Sequence, residues 1–199
     1  YDLNEGENKP KWVDEVSGDC TKVVFTPSFK QAKPTSCYMW FWGFWPLTTI
    51  EGIENLNTEK VTDMSEMFNG CKGLISLDLS SFNTANVEVM SYMFNGCSGL
   101  TTINVSDAFT TNKVSESNDM FSGCSNLKGA TSYDSGKTDK NMANFDGYFT
   151  PKTITPYVKW DANTKVLTFK VANNKEEGSG VYDLNEGENK PKWVDEVSG

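Results

Sequence analysis

Apolar and polar positions along residues 36–129 recur every 26 to 27 residues. The clearest marker is Met67-Phe68-Asn69-Gly70-Cys71. It returns as Met93-Phe94-Asn95-Gly96-Cys97 and again as Met120-Phe121-Ser122-Gly123-Cys124. A leucine stands three residues after each Cys, at Leu74, Leu100 and Leu127. Leu77 and Leu79 then alternate with Ser76 and Asp78, and Ile103 and Val105 alternate with Thr102 and Asn104. A period of two puts one apolar face on a strand, and the LxxLxL spacing is that of a leucine-rich-repeat strand. Ahead of the marker, Val61, Met64, Met67 and Phe68 fall at i, i+3, i+6 and i+7, the stripe of a short helix. The stripe recurs as Val87, Met90, Met93 and Phe94, and more weakly as Val114, Ser117, Met120 and Phe121. A Gly follows each stripe, where a helix can end in a left-handed residue.

One strand and one short helix cannot bury an apolar face alone, whereas stacked copies cover each other. The pattern therefore predicts an α/β repeat fold. It is a short leucine-rich-repeat solenoid of about four turns, strand plus short helix each. Met67, Phe68, Leu77, Leu79, Met93, Phe94 and Phe121 are the expected structural core. Aligning Leu47 with Leu74 reveals a degenerate earlier copy, in which Phe41 matches Phe68 and Gly43 matches Gly70. The first and last copies are atypical, as terminal repeats are.

A second repetition is longer. Residues 182–199 reproduce residues 1–18 letter for letter, a period of 181 residues. A tandem array of near-identical modules is the favoured reading. An engineered overlap is the alternative, since Gly178-Ser179-Gly180 resembles a linker. Between the solenoid and this copy, Val158 and Trp160 alternate with Tyr157 and Lys159, and Leu167, Phe169 and Val171 alternate with Thr168 and Lys170. The Asp161-Ala162-Asn163-Thr164 stretch between them predicts a β-hairpin. Because a lone hairpin is marginal in water, it is expected to act as a junction element packed on the following solenoid. The resulting plan is a polar linker at 1–18, a solenoid at 19–151, the hairpin of the following module at 152–181, and the next period beginning at 182–199.

Composition narrows the function. The chain has 199 residues, 37% of them hydrophobic and 13% aromatic, too apolar for a disordered chain. Its net charge is −9, its 18 basic residues are all lysine, and it has no histidine. An acidic chain without arginine is a poor nucleic-acid binder. Without histidine it lacks the commonest general base and metal ligand. No apolar stretch reaches the length of a membrane helix, so no membrane insertion is expected. The polar, acidic start reads as an interior or mature segment rather than a signal peptide. Cys20, Cys37, Cys71, Cys97 and Cys124 contain no CxxC pair. The last three are expected as buried thiols in a ladder, while a Cys20–Cys37 bridge is left open. Met64, Met67, Met90 and Met93 read as core rather than as a soft-metal site. No metal, cofactor or calcium loop is expected.

The segments Val61-Thr62-Asp63-Met64-Ser65-Glu66-Met67-Phe68-Asn69-Gly70-Cys71, Leu74-Ile75-Ser76-Leu77-Asp78-Leu79-Ser80 and Phe82-Asn83-Thr84-Ala85-Asn86-Val87 resemble the BspA-like leucine-rich-repeat surface proteins of bacteria. The likeness covers residues 36–129. Thr21–Phe25 resembles the lead-in strand of such proteins, and Asn144–Thr150 the segment after their repeats. The resemblance implies a parallel-strand solenoid on a cell surface, used in adhesion to host matrix, mucosa or other microbes. It brings no catalytic residues and names no ligand. The chain departs from the family in its short solenoid and its aromatic first repeat.

That repeat reads Tyr38-Met39-Trp40-Phe41-Trp42-Gly43-Phe44-Trp45. By alignment Trp40 and Phe41 take the core positions of Met67 and Phe68. Trp42 and Trp45 take the polar positions of Asn69 and Lys72. Trp42 and Trp45, with Trp160 and Phe169 of the hairpin, are the candidate binding residues, for a module junction or for a ligand. The expected role is a tandem module of an extracellular, cell-surface fibre or stalk with an adhesive role. Its expected partners are neighbouring copies of itself. The alternative is an adhesin module that binds a host protein or glycan through the solenoid or the Trp-rich repeat. An enzyme such as a two-carboxylate glycosidase is disfavoured, since Glu51, Glu54, Asp63 and Glu66 scatter over turns with no cleft implied.

Overall fold

A computed structural model describes residue 3 and residues 8–152, 155–172 and 181–183. The chain divides into two compact units, Tyr1–Pro151 and Lys152–Gly199.

The first unit is a stack of chain coils made of small parallel sheets, isolated bridges and turns. A six-residue helix, α1 (Lys11–Val16), precedes strand β1 (Lys22–Val24), which pairs in parallel with β2 (Thr49–Glu51). A separate sheet holds β3 (Ser76–Asp78), β4 (Thr102–Val105) and β5 (Phe149–Pro151), also parallel. The register joins equivalent repeat positions: Val23 faces Ile50, and Leu77 faces Ile103, which faces Phe149. A second line of parallel bridges runs Ser36, Asp63, Val89 and Glu116.

The expected strand-plus-helix solenoid does not form, and this is the main correction to the sequence reading. Among the described residues the repeats contain no α-helix. The stripe Val61, Met64, Met67 and Phe68 is fully buried, but consecutive tight turns bury it. Met67, Asn69 and Cys71 donate their amides three residues back, to Met64, Glu66 and Phe68. The intervening amides leave the coil: Met64, Glu66, Phe68 and Gly70 donate to Val89, Ser91, Met93 and Asn95 of the next coil, at 2.9, 2.9, 2.9 and 2.7 Å. A helix would spend those donors on its own carbonyls. It would also need right-handed backbone throughout, and Glu66 has φ 56°. Met39, Tyr92 and Asp119 are left-handed at the equivalent positions. Each costs about 1–2 kcal/mol for a residue with a Cβ. The surrounding inter-coil hydrogen bonds hold the strained conformation in place. Four glycines, Gly43, Gly70, Gly96 and Gly123, take positive φ four residues later in each coil. The strands also fail to make one continuous sheet, because β2 and β3 belong to different sheets and left-handed Gly52 follows β2.

The expected core residues occupy the interior. Met67, Phe68, Leu77, Leu79, Met93, Phe94 and Phe121 are all 0–3% exposed. Phe41, Phe68, Phe94 and Phe121 stack face to face up the unit, with centroids 5.5, 5.8 and 5.5 Å apart, in the offset range where aromatic pairs attract. At the far corner of the coil, buried Thr84 ties two coils together. Its hydroxyl donates to the Thr110 carbonyl at 2.7 Å and accepts from the Thr110 amide at 2.7 Å. Thr58 repeats the device with Asn83. Tyr148 closes the last coil, its ring edge-on to Phe121 at 5.3 Å.

The second unit contains the expected hairpin, β6 (Thr155–Asp161) with antiparallel β7 (Val166–Ala172). Asp161 forms its turn by accepting from the amides of Asn163 and Thr164. Those bonds, with the Thr164 side chain first, hold its carboxyl below the usual range. A third strand, β8 (Val181–Asp183), pairs with the other edge of β6. Tyr182 and Asp183, which open the duplicated segment, are therefore sheet residues. The rest of the copy at 184–199 lies outside the described residues.

Candidate functional site

The first coil carries the most distinctive surface of the chain. Its arc follows the same turns as later coils: Phe41 donates its amide to Met67 and Gly43 to Asn69. Trp40, Phe41 and Phe44 point inward and are 3%, 5% and 2% exposed. Among the described residues no earlier coil covers Trp40 and Phe41 from below. The task falls to α1 and the segment around β1. Trp12 sits edge-on to Trp40 at 6.0 Å and donates its indole N–H to the Trp40 carbonyl at 2.8 Å. Val13 is fully buried. Phe29 packs edge-on to both Phe25 and Trp40, and Phe25 to Phe41. Within the stretch expected to be a linker, Lys11–Val16 is a helix that packs on the first coil. An apolar groove of ≈ 290 Å³ remains at this end, lined by Trp12, Val23, Phe25, Phe29 and Trp40 among others.

The candidate binding residues are divided between the two units, Trp42 and Trp45 in the first and Trp160 and Phe169 in the second. Trp42 is 37% exposed and holds the Lys9 ammonium over its ring at 5.5 Å, a cation–π contact. Lys9 also pairs with Asp14. Trp45 is 58% exposed, and its carbonyl accepts from the Gly73 amide of the next coil. Trp160 is half-buried and Phe169 is 64% exposed in the separate hairpin unit. Trp12, Phe25 and Phe29, which complete the cap, were missed by the repeat pattern because they lie before it. Phe25 fell in the stretch likened to a lead-in strand, and the sequence signal for Trp12 was Pro10 at the start of the helix.

All five cysteines are free thiols, so the Cys20–Cys37 bridge left open by the sequence is not formed. The other three form a ladder. Cys71, Cys97 and Cys124 donate Sγ–H to the carbonyls of Phe41, Phe68 and Phe94, each in the preceding coil, at 3.2, 3.0 and 3.0 Å. Burial pushes all three thiols and Cys37 upward, Cys124 to about 12. Thiols held neutral in this way are structural hydrogen-bond donors and poor nucleophiles. Among the described residues, no group of three or more His, Cys, Asp or Glu side chains is placed to hold a metal ion, and no helix is long and apolar enough to cross a membrane.

Residues 35–154, more than half of the chain, match the family described as "Mycoplasma protein of unknown function, DUF285". The chain belongs to the DUF285 family. The match begins beside the first bridge residue, Ser36, and spans every coil of the stack. In this chain the DUF285 region therefore coincides with the turn-built stack, while α1, β1 and the hairpin lie outside it. No curated protein and no solved structure matches the chain.

Proposed function

We propose that this chain is a non-catalytic structural module of an extracellular, cell-surface fibre or stalk with an adhesive role. One observation carries the reading: an 18-residue segment repeats identically on either side of a stack whose coils are bonded one to the next. A stack bonded in this way transmits length, and serial repetition multiplies it. The resemblance to BspA-like leucine-rich-repeat surface proteins supports the surface location and the adhesive role. Small-angle scattering of one, two and three covalently joined 181-residue periods tests it. The maximum dimension is expected to grow by a constant increment per period. A dimension that saturates as periods are added would refute the stalk.

The exposure of Trp42 and Trp45 favours a second reading, an adhesin module that takes a host glycan or protein on the first coil. Flat indole faces stack on sugar rings and anchor protein partners. Glycan-array binding by the wild type that Trp45→Ala abolishes would support this reading. Equal binding by both chains would remove it.

A further inference from the structure

We infer that the cleft at the far corner of the last coil is a peptide site, taking a partner's segment in which Phe or Leu is followed by Asn or Thr. The inference goes beyond the stalk reading. It also stands on the last coil, apart from the first-coil surface of Trp42 and Trp45.

Three coils carry the same corner: Leu56-Asn57-Thr58, Phe82-Asn83-Thr84 and Phe109-Thr110-Thr111. At the first two, the threonine hydroxyl grips the middle residue of the corner stacked on it. Thr58 donates to the Asn83 carbonyl at 3.0 Å and accepts from the Asn83 amide at 2.9 Å. Thr84 treats Thr110 in the same way, at 2.7 Å in both directions. The apolar residue just before the gripped one, Phe82 or Phe109, is buried. Thr111 is the third threonine of the series, and among the described residues its hydroxyl makes no hydrogen bond. Beside it opens a cleft of ≈ 270 Å³, lined by Phe109, Thr110 and Thr111 of the corner and by Asn144, Phe145 and Phe149 of the closing segment. Phe145 is 36% exposed and meets no other ring among the described residues. In the coil below, β4 ends at Val105 and the chain runs on to its corner at Phe109. β5 pairs on β4 as the next strand, but it ends at Pro151, the last residue of this unit. The receiving half of the coil–coil contact is thus built on the last coil, and the inner coils show what fits it. The Thr111 hydroxyl takes the amide and carbonyl of one residue, and Phe109 and Phe145 take the aromatic or leucine side chain before it. Capture of a peptide by continuing a main-chain hydrogen-bonded array is a recurring mode of recognition. A sugar would also meet a hydroxyl and a ring, but an amide and a carbonyl on one residue belong to a peptide.

Amide NMR of the full chain tests this, with a peptide of its own residues 81–87 as the probe. That peptide carries the Phe82-Asn83-Thr84 corner. It is expected to shift the amides of Thr110, Thr111, Asn144 and Phe145 saturably and to leave Trp42 and Trp45 unmoved. Two altered peptides should bind about ten-fold more weakly, the scale of one lost hydrogen bond or anchor. One is N-methylated at Asn83, which removes the amide donor, and the other carries Phe82→Ala. Thr111→Val in the chain should weaken the unaltered peptide by about the same factor. Because that hydroxyl holds nothing within the stack, T111V should keep the wild-type urea midpoint. No saturable shift at these amides overturns the inference. Equal binding of the N-methylated peptide, or equal binding by T111V, overturns it as well, since the peptide would then only adhere to apolar surface. Shifts caused by N-acetylglucosamine oligomers and not by the peptide would give the cleft to a glycan and overturn it too.

Discussion

The inner coils and the first coil solve the same problem by different means. Phe68 and Phe94 each lie between two near-parallel phenylalanines, with interplanar angles of 27° and 2° and of 2° and 12°. Equivalent residues meet equivalent residues, and each coil leaves a surface that the next one matches. The first coil lacks such a neighbour on one side. It closes with unlike groups set edge-to-face: Trp12 on Trp40, Phe29 on Trp40 and Phe25 on Phe41, at 80°, 81° and 87°. Translational repetition favours parallel stacking, whereas an end needs rings at mixed angles to fill an irregular space. The end is therefore the part of the molecule whose sequence least resembles a repeat.

The contrast is sharpest in alkaline solution, which acts on the dry interior shared by all the coils. Cys37, Cys71, Cys97 and Cys124 are held neutral by burial, while an unfolded thiol ionises from about pH 9.0. Above that pH the unfolded state binds fewer protons than the folded one. Stability is thus intact below pH 9 and lost as pH rises from there toward 12. Each thiol contributes about 1.4 kcal/mol per pH unit. Denaturant midpoints should be level from pH 6 to 8 and fall steeply above 9. A level midpoint to pH 10.5 would mean that the thiols are wet.

Phe94→Ala comes next. It removes the middle of the ring stack and is expected to cost about 3–5 kcal/mol, read as a lower urea midpoint at constant slope. Thr84→Val follows, at about 1–3 kcal/mol. It keeps the shape of the side chain but leaves the Thr110 amide and carbonyl without the hydroxyl between them. Gly96→Ala has the smallest effect, about 1–2 kcal/mol. The new Cβ would stand 3.7 Å from the Gly70 Cα, so only the φ of 71° opposes it. Gly99→Ala should exceed it, because that Cβ would stand 2.2 Å from the Lys72 carbonyl oxygen. An order reversed between these two alanines would contradict the coil packing.

Side-chain direction was legible in the sequence and backbone path was not. The 26–27-residue period identified which residues face inward, including Met67, Leu77 and Phe121. The register of Leu47 on Leu74 correctly placed Trp42 and Trp45 on the surface. The helix expectation failed because spacing at i, i+3, i+6 and i+7 records where side chains point, and successive turns satisfy it as well as a helix does. What separates the two is where the amides of Met64, Glu66, Phe68 and Gly70 go, and side-chain patterning does not report that. The left-handed position carries Met39, Glu66, Tyr92 and Asp119, one aliphatic, one aromatic and two acidic residues, so no glycine or asparagine signal marked it. The cap was hidden by its surroundings: Trp12 and Val13 sit in a short acidic, polar stretch that reads as linker by composition.

The central claim is that the repeats are joined by amides reaching into the next coil. The most direct test is NMR detection of scalar couplings across hydrogen bonds. Couplings are expected from the amides of Glu66, Phe68 and Gly70 to the carbonyl carbons of Ser91, Met93 and Asn95. Couplings from those amides to carbonyls four residues earlier in their own coil would restore the helix and contradict the account.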